Sequence, residues 1–180
     1  PVYGLNILKD QLRKDGGLNL MVYAKYGRSG VYHIQKLMKL INSNQHEIKK
    51  EIRNANLTMN ALPPKNWFLI KVAGSSLNIN DHRQGDIGLY DLFLHKRDVA
   101  YSIETLFQWL ETGGLHFVDF DSIQRKFELK LRHQKYFDQY MLKKLSSLNL
   151  NLQLHITEIL QGDIIKHDFH ASKIENSQAD

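Results

Sequence analysis

Twice in this chain an amphipathic stretch runs into a glycine pair and then into a short, largely apolar segment. That repeated order points to an α/β fold more strongly than any other feature of the sequence. In the first instance Val2, Leu5, Leu8 and Leu12 fall at helical spacing, with Lys9, Asp10, Arg13 and Lys14 outside the stripe, so residues 2–14 are expected to form a helix. Gly16-Gly17 is expected to end it, and Leu18 to Ala24 follows as a strand. That strand carries no charge and has apolar groups on both faces, which predicts burial on both sides. In the second instance Ser102 is placed to cap a helix with Ile103, Leu106, Phe107 and Leu110 on one face. Glu104 sits in its first turn, where a negative charge suits the helix dipole. Gly113-Gly114 stops it, and Leu115 to Phe120 reads as a strand. The echo is shared α/β grammar, not a sequence repeat.

Between the two instances the pattern is less regular. Lys25 to Gly30 is a turn, with Ser29 expected to cap a helix carrying Val31, Ile34, Leu37, Met38 and Ile41. Residues 42–84 read as an insertion: a polar helix over His46 to Met59, a break at Pro63-Pro64, then Trp67-Phe68 and a loop over Ser75 to Gln84. Such insertions often form lids or substrate walls. A short helix is expected from Asp86 through Tyr90, Leu92 and Leu94, and further helix over 133–161. Within that range Leu148, Leu150, Leu152, Leu154 and Ile156 alternate as in a strand, whereas Leu152, Ile156, Ile159 and Leu160 make a helical stripe. Helix is the reading taken for 152–161. Ile164 to Ala171 is the last strand, 1–172 forms one domain, and 173–180 is a loose polar tail.

With 42% hydrophobic and 24% charged residues, the composition is that of a folded globular chain. The net charge of +5 comes from scattered basic residues, so it reads as a solvated surface; RNA binding is the weaker alternative. There is no cysteine, hence no disulfide and no thiolate zinc site, and the nine histidines lack paired ligand spacing, so no metal is expected. No apolar run approaches the roughly 20 residues of a membrane span. Pro1-Val2-Tyr3-Gly4 is soon followed by Lys9 and Asp10, unlike a signal peptide. The expected location is intracellular, cytoplasmic or organellar. Because Pro1 stands where a methionine would, the chain is expected to be cleaved, truncated or partial.

Several separated segments resemble, in order, class I S-adenosylmethionine-dependent methyltransferases. Tyr3-Gly4-Leu5 through Gly16-Gly17-Leu18 and Met21-Val22-Tyr23-Ala24 resemble the helix and fifth strand of that family, with Pro1 at the end of the fourth. Tyr26-Gly27-Arg28-Ser29-Gly30-Val31-Tyr32, completed by Gln35, resembles the YGRxGVYxxQ stretch of a bacterial-type subgroup. Pro63-Pro64-x-x-Trp67-Phe68, the stretch Asp91-Leu92-Phe93-Leu94-His95-x-x-Asp98-x-x-Tyr101, and Gly162-Asp163-Ile164-Ile165-Lys166-His167-x-Phe169 resemble later segments.

The resemblance implies the C-terminal half of a doubly wound, Rossmann-like methyltransferase sheet with helical insertions. Leu18 to Ala24 would be strand five and Leu115 to Phe120 strand six, with the last strand antiparallel between them. Ligands in such sheets bind outside the carboxyl ends of the strands, which places the Tyr23 to Gly30 turn beside the active-site mouth. The family holds its cofactor with a Gly-rich loop after the first strand and an acidic residue ending the second. Neither is present, so no cofactor-binding residue is expected here, and S-adenosylmethionine would be bound only with the missing N-terminal half.

His95 and Asp98 are the catalytic candidates, since a carboxylate can orient an imidazole as a base; Asp91 and His95, four apart, would share a helix face. Tyr26, Arg28, Tyr32 and Tyr101 are candidates for substrate binding, with Arg28 able to take a carboxylate or phosphate through its planar fork. For each there is a structural alternative: a surface salt bridge joined by Arg97, or a polar loop with Tyr32 packed on the sheet. Lys166 and His167 point to opposite faces of a strand, so one of them should be structural. His33 is expected to be solvated, and Trp67-Phe68 to pack in a core or interface.

Two functions follow as expectations. One is the acceptor-binding half of a methyltransferase whose cofactor loop comes from another chain or fragment. The other is an inactive methyltransferase-derived subunit of a larger assembly. Both require a partner polypeptide along the strand-five edge.

Overall fold

The computed structural model describes residues 1–73, 80–121 and 137–174. In chain order the elements are α1 (Val2–Gln11), β1 (Gly17–Tyr23), α2 (Ser29–Ile41), α3 (Ile48–Asn60), α4 (Trp67–Ala73), a 3-10 turn (Asp81–Arg83), α5 (Gly85–Leu94), α6 (Ile103–Thr112), β2 (His116–Phe120), α7 (Gln139–Ser146), α8 (Leu150–Gln161) and β3 (Lys166–Ser172). They fall into two compact units: Pro1–Tyr26 with Ala100–Asp180, and Gly27–Val99. The insertion expected over 42–84 lies within the second.

The first unit is built on a three-stranded antiparallel sheet in the order β1-β3-β2. The last strand lies between the other two and antiparallel to both, the placement that the methyltransferase resemblance implies. Leu20 and Phe120 both stand opposite Phe169, and a bulge separates Phe117 from Asp119. One face of the sheet meets Leu5 of α1, Leu106 and Leu110 of α6 and Leu154 of α8 around fully buried Phe169 and Ala171. β1 is not buried on both sides. Leu18, Leu20 and Val22 pack on this core, whereas Asn19 and Met21 are exposed. Only one face of β1 is covered, so burial alternates with the pleat.

The two glycine pairs do different work. α1 ends at Gln11 with Leu12 extended, so Gly16-Gly17 does not cap it; Gly17 opens β1 instead. After α6, Gly114 takes a left-handed φ of +64°, and the amides of Gly114 and Leu115 reach back to the carbonyls of Glu111 and Leu110. That double return is a Schellman motif. At the start of α6, Ser102 and Thr105 form the expected cap as a reciprocal capping box.

Of the helix expected over 133–161, residues 133–136 lie outside those described, and the rest forms α7 and α8 with a break between them. Asp138 and Asn149 cap them by accepting from the amides of Met141 and Leu152. From Leu150 onward the alternating leucines therefore sit on a helix, with Leu150 and Leu152 exposed and Leu154 buried, whereas Leu148 lies in the break. Lys173, expected in a loose tail, is anchored: its Nζ donates to the Leu12 carbonyl.

The second unit is helical around Val31, Ile34, Met38, Ala55, Phe68, Leu89, Leu92 and Phe93. Phe68 meets Phe93 edge-on at 5.2 Å between ring centroids. α2 begins differently from expectation: Arg28 is the N-cap, and Ser29 Oγ accepts from the Trp67 indole. Phe68 is buried as expected and Trp67 is half-exposed.

His82 packs on Phe68 at 5.3 Å, and its buried Nδ1 has no hydrogen-bond partner among the described residues. Burial first and then the Arg83 charge lower its pKa below 6.5, against a smaller opposing effect of Asp81. The folded chain thus keeps His82 neutral at pH values where the unfolded chain protonates it. Stability present above pH 6.5 is lost as the pH falls towards the folded-state value. Thermal melts between pH 7.5 and 5.5 are expected to show a falling Tm, and His82→Leu to flatten that slope. An unchanged slope would remove His82 as its source.

Candidate functional site

β1 carries the chain to the candidate site. Just beyond its end the Ala24 amide donates to the Ile165 carbonyl, ahead of β3. On the opposite edge, the Tyr101 amide donates to the Tyr23 carbonyl, and the Lys25 amide donates to the Tyr101 carbonyl. This backbone clasp fixes the residue that follows. Tyr26 lies half-buried with its hydroxyl 3.3 Å from His155 Nε2 on α8.

Behind that pair is a buried ionisable network. His155 and Glu158 are three apart on α8 and so share a face. Glu158 Oε2 accepts from the Ile103 amide at the start of α6 at 2.8 Å, and Oε1 lies 2.9 Å from His167 Nε2 on β3. The Glu158 and His167 side chains are 1% and 0% exposed. Burial, followed by the Glu158 and Glu104 charges, raises the Tyr26 pKa above 10.0. Near neutrality Tyr26 is therefore a protonated hydroxyl, able to give and accept a hydrogen bond but not a phenolate base. The Tyr101 ring is buried against Trp109, at 5.0 Å between centroids, and burial raises its pKa as well. Its backbone shapes the site while its side chain belongs to the core.

The other candidates belong to the second unit. Arg28 Nη2 and Asp98 Oδ2 are 3.5 Å apart with side chains only 5% and 7% exposed. Gln35 Nε2 donates both to Asp98 Oδ2, at 2.9 Å, and to the Leu92 carbonyl, at 3.0 Å. The Arg28 guanidinium lies 5.8 Å from the Tyr32 ring centroid. Arg28, Tyr32 and Asp98 are thus brought together around Gln35. His95 is not part of this cluster. α5 stops at Leu94 and His95 is its extended C-cap, so the helix face expected to join it to Asp91 is broken one residue early. His95 is exposed, and its Nδ1 accepts from the Arg97 amide.

Of the remaining expectations, His33 is exposed, and His167 is the structural member of its pair. Lys166 points the other way and pairs with Asp168 at 2.8 Å.

No family model matches the chain. An uncharacterized protein from Synechococcus is 27% identical over an alignment of 135 residues that covers 69% of this chain and 30% of that protein. Among solved structures, PKMT2 from Rickettsia typhi in complex with AdoHcy superposes with a TM-score of 0.59 at 10% identity, over 95% of this chain and 32% of that one. A second structure of PKMT2 gives 0.57 at 12% identity, over 95% and 31%. The fold is similar to that of part of PKMT2. This chain spans about a third of the length of PKMT2 and of the Synechococcus relative.

The turn after β1 is the segment expected beside the active-site mouth, so its glycines are where a ligand cradle would lie. Gly30 does not provide one. A Cβ built on it would lie 2.8 Å from Phe68 Cα, so its open side is filled by the backbone of α4. The glycine serves a helix crossing, and the described residues around it do not fit S-adenosylmethionine.

Sequence reasoning overlooked His155, Glu158 and Gln35. Gln35 lay in the YGRxGVYxxQ stretch without an assigned role. The His155–Glu158 spacing was visible but stood inside a run whose leucines alternate like a strand.

Proposed function

We propose that this chain is the acceptor-binding part of an S-adenosylmethionine-dependent methyltransferase, with the cofactor loop on a polypeptide segment outside these 180 residues. The observation that carries the reading is the fold match of nearly the whole chain to about a third of PKMT2, which was solved with AdoHcy, the cofactor's demethylated product. The order β1-β3-β2 supports it, since the resemblance implies a last strand lying antiparallel between the other two.

The cofactor-bearing segment would extend the sheet along β1. On that edge the clasp to Tyr101 occupies only the end beyond Val22, and Met21 is half-exposed. Tyr26 and His155 would hold the polar group of the acceptor at the carboxyl end of β1, with Glu158 fixing α8 beneath them. Of the second-unit candidates, His95 is the accessible one, and it would serve as a proton acceptor. Arg28 and Asp98, with Tyr32, would shape the segment that follows β1.

Calorimetric titration with S-adenosylmethionine tests this reading. The isolated chain is expected not to bind. A complex with a fragment carrying a Gly-rich strand–loop–helix is expected to bind. In that complex Tyr26→Phe should leave cofactor affinity within about twofold and lower kcat/KM about tenfold, the worth of one hydrogen bond to the acceptor. No binding in any such complex would leave an inactive structural subunit as the better reading, whereas binding by the chain alone would place the cofactor site within these residues and overturn the claim that the loop lies elsewhere.

A further inference from the structure

The second unit contains a cavity of about 320 Å³ between α2, α3 and the end of α5. Its size is at the lower end of the range for small-molecule pockets. Two polar groups on its wall have no side-chain partner among the described residues, and one of them, Asn42 Nδ2, is itself buried. Glu51 is only 6% exposed, and its carboxylate forms no hydrogen bond or ion pair with the described residues. The adjacent Lys50 is engaged with Glu47. Asn42 accepts from Asn54 through Oδ1 at 2.8 Å, but its buried Nδ2 has no acceptor among the described residues.

Lys39 and Lys96 also line the cavity, both exposed and neither ion-paired among the described residues. Phe93 and Leu94, both buried, form an apolar part of the wall. The unmet needs are specific: a cation or N–H donor for Glu51, an acceptor for Asn42, an anion for the two ammonium groups, and apolar atoms against Phe93. A lone metal cation satisfies only the first and is repelled by the lysines. A simple anion is repelled by Glu51.

We propose that this cavity binds a free α-amino acid with an apolar side chain. The ligand ammonium would pair with Glu51, its carboxylate with Asn42 Nδ2 and the two lysines, and its side chain with Phe93 and Leu94. The volume equals that of about ten waters, enough for a ligand of roughly nine non-hydrogen atoms such as leucine.

The test is titration of the 180-residue chain with L-leucine, L-methionine and L-phenylalanine, read by calorimetry and by ligand-induced rise in Tm. At least one is expected to bind saturably. The matching amine without a carboxylate and the matching acid without an amine should each bind at least about tenfold more weakly, as loss of a charge-assisted contact requires. Glu51→Gln is expected to weaken binding by about tenfold or more while keeping the side-chain shape. Should that variant fail to fold, Lys96→Gln at the exposed rim decides, with an expected loss of about threefold. Failure of all three amino acids to saturate would overturn the proposal and leave a water-filled cavity. So would equal binding of the truncated analogues, or affinity unchanged in both variants. None of these outcomes depends on cofactor binding, so the site stands or falls apart from the methyltransferase reading.

Discussion

Glu158→Ala is expected to remove about 2–6 kcal/mol of folding stability, about 1–3 kcal/mol for each of two buried groups left without its hydrogen-bond partner. The cost arises at two places together. Ile103 loses the acceptor of an amide at the start of α6, and His167 loses the carboxylate at its Nε2. Neither site opens to water, so bulk solvent does not replace what is lost. Against a typical total of roughly 5–15 kcal/mol, a loss of that size brings the chain near its unfolding threshold. Glu158→Gln keeps a carbonyl acceptor and gains an amide donor, and should cost about 1–2 kcal/mol. Urea denaturation at pH 7 followed by circular dichroism reads both. If the alanine variant lies within about 1 kcal/mol of the parent, the carboxylate does not join α8, α6 and β3 in the way its distances imply.

The second large effect is expected at Gly30. A side chain there meets the main chain of α4: Phe68 Cα at 2.8 Å, Phe68 N at 3.3 Å and the Trp67 carbonyl at 3.4 Å. Backbone atoms cannot rotate aside, so α2 and α4 must separate, and the separation pulls Phe68 away from Phe93. Gly30→Ala sets an overpacking cost of about 1–3 kcal/mol against about 1 kcal/mol of gained helix propensity. Gly30→Val adds branched bulk to the same contact and is expected to cost about 3 kcal/mol or more. Trp67 reports on this crossing, because its indole donates to Ser29 one residue before the glycine. In a Trp109→Phe background, Trp67 fluorescence should show an earlier unfolding transition for the valine variant. A transition that does not move would mean that the two helices have room to part.

These two residues also show what was legible before the structure. Gly30 stands in the stretch resembling YGRxGVYxxQ, which the resemblance places beside the active-site mouth. Sequence marks a glycine but not what occupies the space it leaves, and here that is another helix. Arg28 and Asp98 stand in the sequence as two separate candidates, one for binding and one for catalysis. Their distance in sequence hid that they answer each other in a nearly buried contact, which changes what each can do. Local signals fared better, because their physics is local. Ser102 with Thr105, and Gly113 with Gly114, fix both ends of α6 within a few residues. The resemblance supplied the position of the last strand between the other two, which no local pattern encodes. The relation between His155 and Tyr26 spans 129 positions and rests on how α8 lies in the first unit. Only the fold could reveal it.

The clasp at Tyr23, Lys25 and Tyr101 has an evolutionary corollary. It brings the flanks of Gly27–Val99 together on the sheet. Within that segment, Arg28 and Asp98 close the two ends on each other. A stretch whose borders already touch on both sides of the junction can be gained, lost or exchanged as a cassette by a single genetic event, without re-routing the host chain. Joining Tyr26 to Ala100 through a short linker should therefore leave the three strands in register, and homologues of different length are expected to vary first at this junction.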